Sequence, residues 1–361
     1  MGARAALTGS YTLAIDAMGG DNAPDMVLDG LELAAERHPK ARFLLFGDQT
    51  LLIGPLAKRR RAKAVCTIRH AAETITNEMK PTVALRSRQS SMRLAIDAVA
   101  NKEAAGLVSA GNTGALLALG KIVLKSLPGI DRPAMAGIAP SARGDVVMLD
   151  LGANVRCDVR NLVEFAIMGD AFARTVLGLT APTIGLLNVG AEEMKGDDTV
   201  RQAAEILRAS HIGPRFHGFV EGHDITAGTT DVVVTDGFTG NVALKTGEGA
   251  LKLIGELLRQ VFTRGIASKI AYLLARPGLD RLREWLDPRR YNGAVMVGLN
   301  GVVVKSHGGT DAKGFAHAVD VAMDMVVHRF NDHIREDLAR IGLDKRSGGD
   351  KNDGDRRLAT A

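Results

Sequence analysis

The chain has 361 residues, 46% of them hydrophobic and 24% charged, with a formal net charge of +5 and a pI near 9.2. That length calls for one large α/β unit or two lobes on a shared sheet, and an aromatic content of 4% supplies too few rings for the base stacking of single-strand nucleic-acid binders. Cys66 and Cys157 are the only cysteines and form no CxxC pair, which excludes a disulfide framework and a structural zinc site and points to a reducing cytoplasm.

Residues 1–10 carry no apolar h-region, and no run of about 18 uncharged apolar residues occurs, so neither a secretory signal nor a membrane span is expected. The first apolar run, Tyr11–Ile15, reads as a strand and ends at Asp16-Ala17-Met18-Gly19-Gly20-Asp21-Asn22-Ala23-Pro24. Carboxylates beside a glycine pair can orient a backbone nest or hold a metal, but Asp is also a turn former and helix cap, and no metal site is expected here. A helix over Met26–Arg37 and a strand over Phe43–Phe46, ending at Gly47, follow by periodicity. The basic run Lys58–Lys63, with Arg86, Arg88 and Arg93, is either a docking surface for an acidic protein or a solvated face.

After a helix over Ser91–Asn101, the strand Ala105–Val108 runs into Ser109-Ala110-Gly111-Asn112-Thr113-Gly114 and then a helix over Ala115–Lys125. Glycines let backbone N–H groups converge there and the helix start adds a positive dipole end, so Ser109, Gly111, Asn112, Thr113 and Gly114 suit an anion such as phosphate; a tight turn is the alternative. The strand Val146–Leu149 ends at Asp150-Leu151-Gly152-Ala153-Asn154 and precedes a helix over Leu162–Leu177. Thr183–Leu187 ends at Asn188-Val189-Gly190-Ala191-Glu192-Glu193-Met194-Lys195-Gly196, where Lys195 is either a site cation or the partner of Glu192 or Glu193. A helix over Asp198–Ala209 follows, then the strand Val232–Thr235 and the turn Asp236–Asn241, in which Asn241 offers a two-donor amide.

A helix over Val242–Phe262 opens the segment Leu251–Trp285, whose apolar positions, Ile254, Leu258 and Phe262 among them, alternate with Arg and Lys. Such a stripe lies in a bilayer interface or packs on a core or second subunit. The strand Val302–Val304 leads into Lys305-Ser306-His307-Gly308-Gly309, a further anion contact, before a helix over Gly314–Ile341. From Asp344 the tail mixes Gly, Asp, Lys, Arg and Asn without periodicity and reads as disordered. Strands that end in polar turns and alternate with helices predict α/β architecture with mostly parallel sheet, its ligands outside the strands' carboxyl ends in one crevice.

The turns, as DAMGGDNAP, SMRLAIDAV, VSAGNTGALLALGK, DLGANVRCD, FAIMGDAFA, NVGAEEMKG, DGFTGNVALKT, YNGAVMVGLNG and VVKSHG, resemble the bacterial phosphate acyltransferases of phospholipid synthesis, from Leu13 to about Phe330. These make acyl phosphate and free carrier from long-chain acyl-acyl carrier protein and inorganic phosphate, with no cofactor. The resemblance implies two lobes around a cleft, a fold similar to phosphotransacetylase and isopropylmalate dehydrogenase, and a homodimer. It divides the chain into a catalytic unit over 1–343, with 251–290 as an amphipathic projection contacting the membrane peripherally, and a tail over 344–361. It further implies acyl carrier protein and an acyl-phosphate-using glycerol-phosphate acyltransferase as partners, and no nucleic acid. Lys195 and Asn241 correspond to the catalytic pair. Asp16, Gly19, Gly20, Asp21, Ser109–Gly114, Asp150, Asn154, Asn188, Gly190, Asp236, Lys305, Ser306, His307 and Gly308 then line the site, with Lys195 or His307 to protonate the departing thiolate. A coenzyme-A-dependent phosphotransacetylase and a non-catalytic membrane-docked scaffold are the competing readings.

Overall fold

The computed structural model describes residues 11–341. The first ten residues and the tail from Asp344 lie outside them. Eleven strands form one sheet: β1 Thr12–Asp16, β2 Arg42–Gly47, β3 Cys66–His70, β4 Gly106–Ser109, β5 Ala134–Ser141, β6 Gly144–Leu149, β7 Ile184–Leu187, β8 Phe216–Val220, β9 Val232–Val234, β10 Ala294–Val297 and β11 Val302–Lys305. The helices are α1 Asp25–Arg37, α2 Gln49–Ala57, α3 Arg60–Val65, α4 Pro81–Ala84, α5 Ser91–Ala100, α6 Thr113–Val123, α7 Val159–Val176, α8 Asp198–Ala209, α9 Gly222–Ala227, α10 Gly237–Thr263, α11 Ile266–Trp285, α12 Ala312–Val327 and α13 Phe330–Ile341.

The strand order is β3-β2-β1-β4-β11-β10-β5-β6-β9-β7-β8. The first five are mutually parallel, as are the last four. Antiparallel pairings of β11 with β10, β10 with β5, and β5 with β6 join the sets, so the second set runs opposite to the first. The sheet is thus mostly parallel and covered by helices, as the alternating pattern predicts, with β5 and β10 as a seam.

Strand period two sorts the core into two layers. Ile15, Val108, Val304, Val295, Ala136, Leu149, Val234 and Leu186 face one layer with α1, α7, α8, α12 and α13. Ala14, Leu107, Val303, Met296, Met135, Met148 and Val233 face the other, with α5, α6 and α9. Each layer spans both strand sets, so the cores divide by sheet face. Helix α7 buries thirteen of its eighteen residues; its buried Glu164 and Asp170 are held by Arg160 and by Arg174 and Arg215.

Registry carries a single row of side chains across the whole sheet. It runs Ile68, Leu45, Ile15, Val108, Val304, Val295 and Ala136; the pairing of Gly137 with Met148 then sets Leu149 beside Ala136, and Val234, Leu186 and Phe219 complete it. Asp16, Ser109 and Lys305 are the next residues along the first set. Asp150 and Thr235 are the next along the second, on the other side of the row.

Three helix boundaries differ from the periodicity. The stretch read as one helix over Gly314–Ile341 is two, because Arg329 takes a left-handed φ of 50° between α12 and α13. The turn read at Asp236–Asn241 is the first turn of α10: the Asp236 side chain accepts from Thr239 N and caps it. Likewise α6 starts at Thr113, with Asn112 as its cap.

Helix α10, about 40 Å long at 1.5 Å per residue, pairs with α11 as a hairpin. From Leu251 to Arg290 no described side chain is buried. Ile254 and Leu258 are exposed, whereas Phe262 is half-buried against the ring of Tyr272, with centroids 5.7 Å apart. No helix among the described residues is long and apolar enough to cross a membrane.

Candidate functional site

The first group of turns is built on a buried carboxylate. Asp16, at the end of β1, accepts from Ser91 Oγ at 2.6 Å and Ser109 Oγ at 2.7 Å, and Ser109 Oγ in turn accepts from Gly111 N at 3.1 Å. This locks the strand-end loop in place. Gly19 fits beneath it because a Cβ there would lie 2.6 Å from both Asp16 Oδ2 and Gly111 N. Burial pushes the Asp16 carboxyl above its ordinary range, against the lowering effect of the two serine hydroxyls.

The neighbouring turns are stitched to the same loop. Asn112 Nδ2 donates to the carbonyls of Thr76, Asn77 and Met79, and Asn77 Nδ2 donates to Asp21 Oδ1 at 2.9 Å. Asp21 N donates to Gly308 O at 3.0 Å, and Ser306 N to Ser109 O at 2.9 Å. Asn292 Nδ2 donates to Ser306 Oγ, while its Oδ1 accepts from His307 N. Buried Lys305 directs Nζ at the carbonyls of Ala110 and Ser306. Burial lowers its pKa to about 8, opposed by the charges of Asp16 and Asp21.

Above this frame Thr113 and Gly114 are exposed in the first turn of α6, at the helix's positive end. His307 is exposed, and its Nδ1 accepts from Gly309 N at 3.2 Å, so the neutral ring carries its proton on Nε2. Gly20 takes a φ of 112° in the same corner. A small anion at the α6 end would meet N–H groups, with the Lys305 charge behind them.

The second group surrounds Asp150. Its carboxylate accepts from the backbone N–H groups of Met135, Gly152, Ala153 and Asn154 and from Asn154 Nδ2. Asp150 and Asn154, expected to bind substrate, therefore brace a turn, and burial pushes the Asp150 carboxyl up despite those donors. Gly240 packs on this turn so closely that a Cβ would fall 1.9 Å from Asp150 O. Asn241, one residue on, is exposed. Asp236 is occupied as the α10 cap.

Lys195 lies exposed in the loop after β7. Asn188 holds that loop: its Nδ2 donates to Lys195 O at 3.0 Å and its Oδ1 accepts from Val189 N at 2.9 Å. Gly190 leaves room for the Lys195 stem, since a Cβ there would come within 3.0 Å of its Cγ. Glu193 pairs with Arg208 at 3.3 Å rather than with Lys195. Between this loop and the start of α10 opens a pocket of about 680 Å³.

The structure thus ties Asp16, Gly19, Asp21, Ser109, Gly111, Asn112 and Lys305–Gly308 into one group, and gathers Asp150, Asn154, Asp236 and Asn241, with Asn188, Gly190 and Lys195 nearby, into a second. The two groups leave strand sets that run in opposite directions across the seam. Both groups nevertheless leave the sheet from the same row of residues. Ser91, Asn77 and Asn292 were not singled out by spacing; Ser91 and Asn292 lie within SMRLAIDAV and YNGAVMVGLNG, whereas Asn77 belongs to an irregular loop with no pattern to mark it. Much of the basic surface is paired: Arg59 with Asp25 and Asp29, Arg61 with Glu32 and Glu36, and Arg93 with Asp97. Among the described residues no group of three or more His, Cys, Asp or Glu is placed to hold a metal.

Comparison with known proteins gives a consistent picture. The model of the family described as "Fatty acid synthesis protein" matches residues 11–333. A phosphate acyltransferase from Granulibacter bethesdensis is 71% identical over 332 residues, covering 92% of this chain and 90% of the relative. One from Acidiphilium cryptum is 72% identical, covering 92% and 87%. Among solved structures, a phosphotransacetylase from Streptococcus pyogenes superimposes with a TM-score of 0.60 at 16% identity, over 89% of this chain and 95% of that one, a likeness of fold alone.

Proposed function

Since the chain belongs to the fatty acid synthesis protein family and is an acyl-transferring enzyme like its phosphate acyltransferase relatives, we propose that it converts long-chain acyl-acyl carrier protein and inorganic phosphate to acyl phosphate and free carrier protein. The observation that carries this reading is the loop and helix start at α6, braced by Asp16 through Ser109 and backed by Lys305. Phosphate is an anionic nucleophile at neutral pH, so the enzyme's task is to position it and to stabilise the oxyanion.

In this reading N–H groups of the Ser109–Gly114 loop hold phosphate, and a phosphate oxygen attacks the thioester carbonyl. Lys195 and Asn241, the pair assigned by resemblance, donate to the developing oxyanion. The tetrahedral intermediate collapses with loss of the C–S bond, and the carrier thiolate takes a proton from Lys195 or His307. The product passes to an acyl-phosphate-using glycerol-phosphate acyltransferase. The enzyme works as a homodimer attached peripherally to the cytoplasmic membrane surface through the exposed apolar positions of α10 and α11, Ile254 and Leu258 among them.

Incubation with palmitoyl-acyl carrier protein and phosphate, followed by hydroxylamine trapping, should yield phosphate-dependent acyl hydroxamate. Faster turnover with acetyl-CoA would favour the phosphotransacetylase reading. No product from either donor would leave the scaffold reading.

A further inference from the structure

The pocket between the Lys195 loop and the start of α10 is used by nothing described above. Its floor consists of core side chains: Leu162, Leu186 and Val234 line it and are each at most 4% exposed. Its rim is mixed: Val155, Val189 and Phe238 line it while remaining 67%, 78% and 63% exposed, beside the polar Arg156, Asn188, Asp197, Thr199, Asp236 and Thr239. Large apolar side chains ringing an apolar-floored cavity are costly to leave in water, and they mark a ligand with a substantial hydrocarbon part.

Charge disfavours phosphate in the same space. Asp197 and Asp236 line the pocket against one guanidinium, Arg156. Both carboxylates are engaged as caps, Asp197 accepting from Val200 N and Asp236 from Thr239 N, so their charges are fixed at the helix starts. They add no net positive charge for an incoming anion beyond Arg156, whereas an uncharged chain is indifferent to them. The volume of about 680 Å³ lies within the range of small-molecule sites, roughly 300–1,000 Å³.

We infer that this pocket receives the hydrocarbon chain of the acyl donor, with the carboxyl-derived end toward the Lys195 loop and the first turn of α10, whose Gly196 and Thr239 line it. The inference rests on the acyl-transfer reading for the identity of the donor. The binding of a long hydrocarbon chain is testable without turnover. Each methylene that the pocket buries strengthens binding by up to about fourfold, the equivalent of roughly 0.8 kcal/mol.

Val200, half-buried on α8, lines the cavity and packs against the core cluster that contains Leu162, Leu186 and Val234, so a larger side chain there takes up cavity space. Wild type should bind the fluorescent fatty acid cis-parinarate, with palmitate displacing it far better than octanoate and inorganic phosphate not displacing it. Val200→Phe should weaken the probe by about tenfold, as expected for two or more methylenes displaced, and should lower the ratio of palmitoyl to short-chain kcat/KM similarly. Val200→Ala, which removes bulk, should keep probe affinity within about threefold of wild type and guards against misreading a folding defect. Probe binding unchanged in a folded Val200→Phe protein, or displaced by phosphate, overturns the assignment. So does a changed oligomeric state with undiminished probe binding, which would make the apolar rim a contact between copies. If wild type binds the probe, loses it in Val200→Phe, and yet forms no acyl phosphate, the pocket assignment stands and the acyl-transfer reading fails.

Discussion

The two groups of turns differ in how their functional atoms are held. In the first, Asp16, Ser109, Lys305 and Ser306 are buried and bonded to one another or to loop backbone, leaving N–H groups and His307 at the surface. In the second, Asp150, Asn154, Asn188 and Asp236 are engaged mainly with backbone groups, and Lys195 stands exposed on the loop Asn188 braces while Asn241 stands exposed in the first turn of α10. A rigid corner suits a small ion that must be aimed. Exposed donors beside an apolar pocket suit a large substrate delivered from outside.

The sharpest test of that contrast is Lys195→Ala, expected to lower kcat by about 10²–10³ with melting temperature unchanged, since loss of an oxyanion donor costs that much. A variant keeping half its activity would remove Lys195 from the chemistry. Asn241→Ala should act in the same direction, by about 10², and should leave binding of phosphate alone intact; unchanged kinetics would reduce Asn241 to a helix-start residue.

Lys305 should separate the groups by pH. Because it loses its proton near pH 8, the KM for phosphate should rise as pH passes through about 8, and Lys305→Arg should flatten that rise. The unfolded chain keeps this proton to the ordinary lysine value of 10.5, so between about 8 and 10.5 the unfolded state binds more protons. Stability of the wild type relative to Lys305→Met should therefore increase with pH across that window, as denaturant titrations at pH 7.5 and 9.5 would show. An equal difference at both values would mean that Lys305 is charged throughout.

The smallest effect concerns the hairpin. Asp at Ile254 and Leu258 together should reduce partition onto anionic vesicles several-fold, by removing buried apolar area at an interface, while acyl phosphate formation in solution persists. Undiminished vesicle binding would return that stripe to packing between subunits.

Much of this was legible beforehand because strand and helix periods are local. Val302–Val304 and Ser109–Gly114 announce themselves by an apolar run that stops at glycine or a small polar residue. The seam was not legible: β5 reads AMAGIAPS and β10 only AVMV, and neither carries a signal that fixes direction. The reversal it causes is a matter of pairing between residues some 160 positions apart in sequence, such as Ala136 and Val295, and so the opposite directions of the two strand sets could not be read from spacing. The same holds for braces such as Asp150, whose backbone partners are set by the turn's shape rather than by residue type.

The seam also bears on which changes the chain can accumulate. A one-residue insertion within β5 would shift every strand beyond it by about 3.4 Å relative to β1, β4 and β11 and exchange the two faces. The row from Ile68 to Phe219 would be cut at its middle, and Lys195 and Asn241 would be displaced from the Ser109 corner although neither they nor their loops had changed. Length variation should therefore collect at the tip of the α10–α11 hairpin, around Arg264 and Gly265, and be absent between Ala134 and Leu149.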